Sequence, residues 1–132
     1  YTTLFRSEFT INVERPGKTG ADEILQMMKD FRANAPKELG GSKVCLWKDY
    51  LSLETTKLDG TKEKLEMPAT SNVLQWFCED GNKVSVRPSG TEPKIKFYLE
   101  IKDNMISSAD YKTCVKRAEE KIEAIKKSLK LN

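Results

Sequence analysis

Ile95, Phe97, Leu99 and Ile101 alternate with Lys94, Lys96, Tyr98, Glu100 and Lys102. This is the clearest period-two stretch in the chain. Alternation of this kind places the apolar set on one face of a strand and the polar set on the other. A strand with one wet face belongs in an antiparallel sheet whose dry face is covered by another layer.

The neighbouring segments supply that sheet. Val73 to Cys78 and Lys83 to Val86 are strand-like runs joined at Asp80-Gly81, a hairpin signal. Val84 and Val86 are then expected to face the core, with Ser85 and Arg87 on the opposite side. Residues 1–15, rich in Thr, Phe, Ile and Val, predict an extended segment or strand. Val44 to Trp47 predicts a short strand after the Leu39-Gly40-Gly41 turn, ending at Asp49-Tyr50. Leu51, Leu53 and Thr55, alternating with Ser52, Glu54 and Thr56, predict another. Leu58 to Thr61 reads as a turn, and Lys62 to Glu66 as a charged loop or edge.

Two helices complete the layer. The first has Ile24, Leu25, Met28 and Phe31 at helical spacing, Thr19 and Asp22 as its capping pair, and Pro36 beyond its end. The second is capped by Ser107 or Ser108. It carries a stripe of Tyr111, Val115, Ala118, Ile122, Ile125 and Leu129, suited to packing on a sheet. Strands with helices on one face make an α+β domain.

A chain of 132 residues holds one core. Its 23 cations and 20 anions leave a mild +3 charge, without the concentrated basic face that nucleic acid demands. No apolar run approaches the ~20 residues needed to cross a bilayer. Cys45, Cys78 and Cys114 lack metal spacing and read as free thiols of a reducing cytoplasm. Histidine is absent, and with it the commonest general base. The charged groups Lys62-Glu63-Lys64, Glu79-Asp80 and Glu119-Glu120-Lys121 read as solvated surface.

Function concentrates in Arg87-Pro88-Ser89-Gly90-Thr91-Glu92-Pro93-Lys94, between two strands. Two prolines stiffen the connection. Gly90 permits backbone geometry and ligand approach closed to a residue with a Cβ. Arg87 offers a planar fork for phosphate oxygens, Ser89 and Thr91 offer hydroxyls, and the Gly90 and Thr91 amides can form an anion nest. Composition alone fits phosphate binding and a plain tight turn about equally.

The order of these residues resembles the C-terminal signature of the phosphohexomutases, the phosphoglucomutase and phosphomannomutase family. Asp49-Tyr50, Pro68-Ala69-Thr70-Ser71-Asn72-Val73-Leu74, Asp80-Gly81 and the Ile24 to Arg32 helix with Asn34-Ala35-Pro36 extend the likeness over about residues 17–103. The resemblance implies the fourth domain of such an enzyme, with a TATA-binding-protein-like sheet-and-helix fold. Residues 17–132 would form the domain, and residues 1–16 a segment linking it to a preceding one. A start at Tyr1 rather than methionine suits a piece of a longer protein.

The resemblance also implies chemistry. Arg87, Ser89, Gly90, Thr91 and Lys96 would bind the phosphate not being transferred while a hexose phosphate exchanges phosphoryl between C1 and C6. Lys94 is the weaker alternative to Lys96. The phosphoserine, the Mg²⁺ site and the sugar-recognition loop would lie in three preceding domains, with a glucose 1,6-bisphosphate-type activator. The expectation is therefore no catalytic residue and no metal ligand in this chain, no activity alone, a cytoplasmic protein, and neither nucleic acid nor membrane as partner. The alternatives are a stand-alone phospho-ligand module and, less favoured, a basic nucleic-acid-binding domain.

Overall fold

The computed structural model describes residues 3–90, 92–105 and 107–130, with the side chains of residues 3, 4 and 108 left out. In chain order the elements are β1 (Thr3–Glu14), α1 (Gly20–Ala33), β2 (Glu38–Leu39), β3 (Ser42–Asp49), β4 (Glu54–Lys57), β5 (Lys62–Lys64), β6 (Leu74–Cys78), β7 (Lys83–Pro88), β8 (Lys94–Met105) and α2 (Tyr111–Ser128). The strands join antiparallel in the order β1-β8-β7-β6-β3-β4-β5, and β2 pairs with the start of β3.

β8 lies one strand in from the β1 edge, with one face buried as its alternation predicts. Ile95, Phe97, Leu99 and Ile101 are buried beside Val84 and Val86 of β7 and Leu74, Trp76 and Cys78 of β6. Both helices lie on this dry face. α1 brings Ile24 and Met28 to it, and its Phe31 ring meets Trp76 at 5.2 Å and Phe97 at 6.0 Å, both edge-on. α2 brings Cys114, Ala118, Ile122 and Ile125. Truncating a fully buried aromatic such as Phe97 to alanine costs roughly 3–5 kcal/mol, so this seam dominates stability. The result is the expected α+β layer.

Several local expectations change. The strand predicted from Leu51 starts only at Glu54. The Leu51 amide donates to Asp49 Oδ1 at 2.9 Å, and Leu53 sits at φ 56, so the chain turns where the alternation suggested extension. Thr19 holds the N-cap position of α1 without a side-chain capping bond, and Leu25 is 50% exposed. α2 begins after a 3-10 turn (Ser108–Asp110), with Asp110 rather than a serine at the N-cap position. The Ser107 amide donates to Asp110 Oδ2 at 3.1 Å. Tyr111 is 55% exposed, with its ring edge-on to Phe5 at 5.8 Å, and Cys114 takes a buried place in the stripe.

Two of the groups assigned to solvated surface, through Lys121 and Asp80, are structural instead. Lys121 Nζ donates to Gly40 O at 2.8 Å and Ser42 Oγ at 2.6 Å, and pairs with Asp80 Oδ2 at 3.0 Å. Asp80 also accepts from Ser42 Oγ, the Asn82 amide and Asn82 Nδ2, while Asn82 Oδ1 accepts the Lys102 amide at 2.8 Å. This clasp ties α2 to the β2–β3 and β6–β7 turns. Partial burial would raise the Asp80 carboxyl, but bonds from Ser42, Asn82 and Lys121 outweigh it and hold the group below the usual range. The three cysteines are free thiols. Burial raises the Cys78 thiol to about 11.

Candidate functional site

The face of the sheet opposite the helices presents the polar alternates, in rows set by strand register. One row runs Asn12 on β1, Lys96 on β8, Arg87 on β7. Directly opposed residues on one face hold their Cβ atoms roughly 4.5–5.5 Å apart, and like charges so placed repel. Arg87 is exposed and Lys96 half-buried, and among the described residues neither has a carboxylate partner. Two cations held together without an anion form a site that an anion would relieve.

The loop between β7 and β8 rises from the end of this row. The Ser89 amide donates to Lys94 O at 2.8 Å, the Lys94 amide to Glu92 O at 2.8 Å, and the Glu92 amide to Ser89 Oγ at 3.3 Å. These bonds close a tight turn whose ends are fixed by the β7–β8 ladder. Thr91, expected as a hydroxyl and amide donor, lies outside the described residues. Gly90 is exposed in this loop. Gly90 is outside the left-handed region, contrary to the backbone geometry expected of it, and a Cβ there would meet nothing within 4 Å. Its glycine therefore answers no demand of the described chain, and leaves room for a ligand at the main chain.

The two lysines separate clearly. Lys94 Nζ pairs with Glu92 Oε2 at 3.2 Å, whereas Lys96 faces Arg87. Residue order alone could not reveal that Glu92 balances Lys94. The next pair along the strands, Ser85 and Tyr98, borders a depression of about 410 Å³ lined also by Glu8, Thr10, Lys83 and Glu100. There Glu100 sits 3.4–3.5 Å from Arg6, Lys83 and Lys102. Burial would raise its carboxyl, but the three cations, Lys83 foremost, hold it below the usual range.

Arg32 is a residue whose role sequence reasoning missed. At the end of α1 it donates to Asp49 Oδ2 at 3.1 Å and to Asn72 Oδ1 at 2.6 Å. The Tyr50 amide donates to Val73 O at 3.0 Å, and the Ser71 amide to Tyr50 O at 3.1 Å. The segment just before β6 is thereby anchored beside the end of β7. The sequence motifs point to Asp49 and Asn72, but only the fold joins them through Arg32.

This geometry has a counterpart among known proteins. A family model described as phosphoglucomutase/phosphomannomutase, C-terminal domain, matches residues 11–105. The chain belongs to that family. A phosphoglucomutase of Staphylococcus aureus (strain MRSA252) is 39% identical over 104 residues, covering 77% of this chain and 18% of the relative. The phosphoglucomutase of strain N315 is 38% identical over 103 residues, with the same coverage. The chain thus spans under a fifth of the length of these relatives. The family match reaches from β1 through β8 and includes the whole loop. No described helix is long and apolar enough to cross a membrane.

Proposed function

We propose that the β7–β8 loop is a phosphate clamp acting within a phosphohexomutase. Arg87 would make a bidentate contact, Ser89 and Thr91 contribute hydroxyls, Gly90 contributes its amide, and Lys96 adds charge from β8. The observation that carries this reading is the Arg87–Lys96 pair, opposed across β7 and β8 with no carboxylate partner among the described residues. Membership in the family and the names of the relatives support a hexose phosphate as ligand.

In the whole protein, on this reading, the clamp holds the phosphate that is not being transferred between C1 and C6. Such contacts position the reacting end without touching it. Acid–base and phosphoryl-transfer groups would come from three preceding domains, so the chain alone is inactive. Mg²⁺ would likewise be held elsewhere. Among the described residues no three Cys, Asp or Glu side chains gather as a ligand set. A bisphosphorylated activator would meet the same clamp, in the cytoplasm.

The test is an amide NMR titration of this chain with glucose 1-phosphate, with glucose as control. Shifts confined to residues 87–96, at millimolar affinity and weakened about tenfold or more by Arg87→Ala, are expected. Unchanged affinity in Arg87→Ala would overturn the clamp. Micromolar affinity would favour a stand-alone phospho-ligand module, and a response only to DNA would favour the nucleic-acid reading.

A further inference from the structure

We propose that the corner between β1 and α1 positions the clamp loop, acting through the Arg15 amide and Gly20. This inference rests on the phosphate-clamp reading. The loop's internal hydrogen bonds fix its shape, and the ladders on both sides of β8 hold the strand that follows it. Beyond the last ladder pair, Glu14 with Lys94, the Arg15 amide donates to Pro93 O at 2.9 Å and carries the tie into the loop itself.

Gly20 makes the approach feasible. A Cβ on Gly20 would lie 1.7 Å from Arg15 O, 2.9 Å from Arg15 C and 3.1 Å from Pro93 Cβ. Its φ lies outside the left-handed region, so crowding and not dihedral angle requires a glycine. The first residue of α1, the Arg15 peptide and Pro93 therefore stack with no room for a methyl group. Gly17, at φ +101, turns the corner, and the Gly20 amide closes it on Gly17 O at 3.2 Å.

The Arg15 side chain contributes little to this contact. Its guanidinium donates to the adjacent Glu14 O at 3.2 Å and lies 4.0 Å from Glu23, in an exposed setting. The backbone is what the loop feels. Because the ladders on both sides of β8 hold Lys96 opposite Arg87, a shift at Pro93 would move the Gly90 end of the loop relative to that pair. Arg15 and Gly20 are thus positioning residues, acting on an anion through the loop.

Backbone and side chain can be separated by substitution. Arg15→Ala keeps the amide, and Arg15→Pro deletes it. With inorganic phosphate as probe, the unsubstituted chain and Arg15→Ala are expected to bind alike, while Arg15→Pro binds about tenfold more weakly. Equal affinity of folded Arg15→Pro and Arg15→Ala would overturn the inference. If Arg15→Pro does not fold, amide hydrogen exchange at Arg15 in the unsubstituted chain decides. Slower exchange with saturating phosphate supports coupling between corner and clamp, and an unchanged rate overturns it. Absence of phosphate binding in the unsubstituted chain would refute the clamp itself, and this inference would fall with it.

Discussion

The two ends of β7 hold their lysines in opposite ways. At the β6–β7 turn, Lys121 meets a carboxylate, a carbonyl and a hydroxyl, and Asp80 accepts from every side. At the other end, Arg87 and Lys96 face each other across the ladder with no described counter-ion. The same residue types are saturated with partners at one end and, on the proposed clamp reading, left open to an anion at the other. A cation's neighbours, more than its identity, decide which role it takes. The open end carries a small repulsive cost, and the closed end is a saturated network.

Breaking the closed end should give the largest effect. Asp80→Ala strands the Lys121 ammonium and the Ser42 and Asn82 donors, at a cost of roughly 2 kcal/mol after allowance for partial exposure. Urea unfolding should show a lower midpoint while phosphate affinity stays unchanged. A loss of affinity would mean that the two ends are not independent.

A smaller effect distinguishes the lysines at the open end. Lys96→Ala should weaken phosphate binding roughly fivefold, about 1 kcal/mol, with no loss of stability. Lys94→Ala, which removes a charge already paired with Glu92, should change affinity less than twofold. The reverse order in an NMR or calorimetric titration would reassign the clamp to Lys94.

Acid should produce the mildest difference. The Asp80 and Glu100 carboxyls are both depressed in the fold. Their stabilisation is therefore complete above the unfolded carboxylate range, near pH 4, and is lost as pH falls through the lower folded values. Melting temperature should decline between about pH 5 and pH 3, and less steeply in Asp80→Asn. An identical slope in that variant would remove Asp80 from the account.

Much of this layout is written locally in the chain. The β8 alternation, the Asp80-Gly81 hairpin and the proline-bounded loop each state their structure within a few residues, and the structure follows them. What escaped was set by tertiary partners. Leu53 alternates like a strand residue, yet the bond from Leu51 to Asp49 turns the chain first. Lys121 and Asp80 look like surface charge until the fold brings them together across 41 positions. The Arg32 anchor and the Arg15–Pro93 contact leave no periodic trace, because each joins segments remote in sequence. At the proposed clamp, Arg87 and Lys96 share a row as the two strand patterns imply, while the pairing of Glu92 with Lys94 depends on how the loop folds.

The outermost strand on the β4 side, β5, is only Lys62-Glu63-Lys64, and all three residues are exposed. A foreign strand docking there would have to match alternating charges over a very short ladder, after stripping water from each. Short, charged edges of this kind discourage sheets from growing between molecules. The sheet's lateral growth is discouraged on that side by three residues that bury nothing.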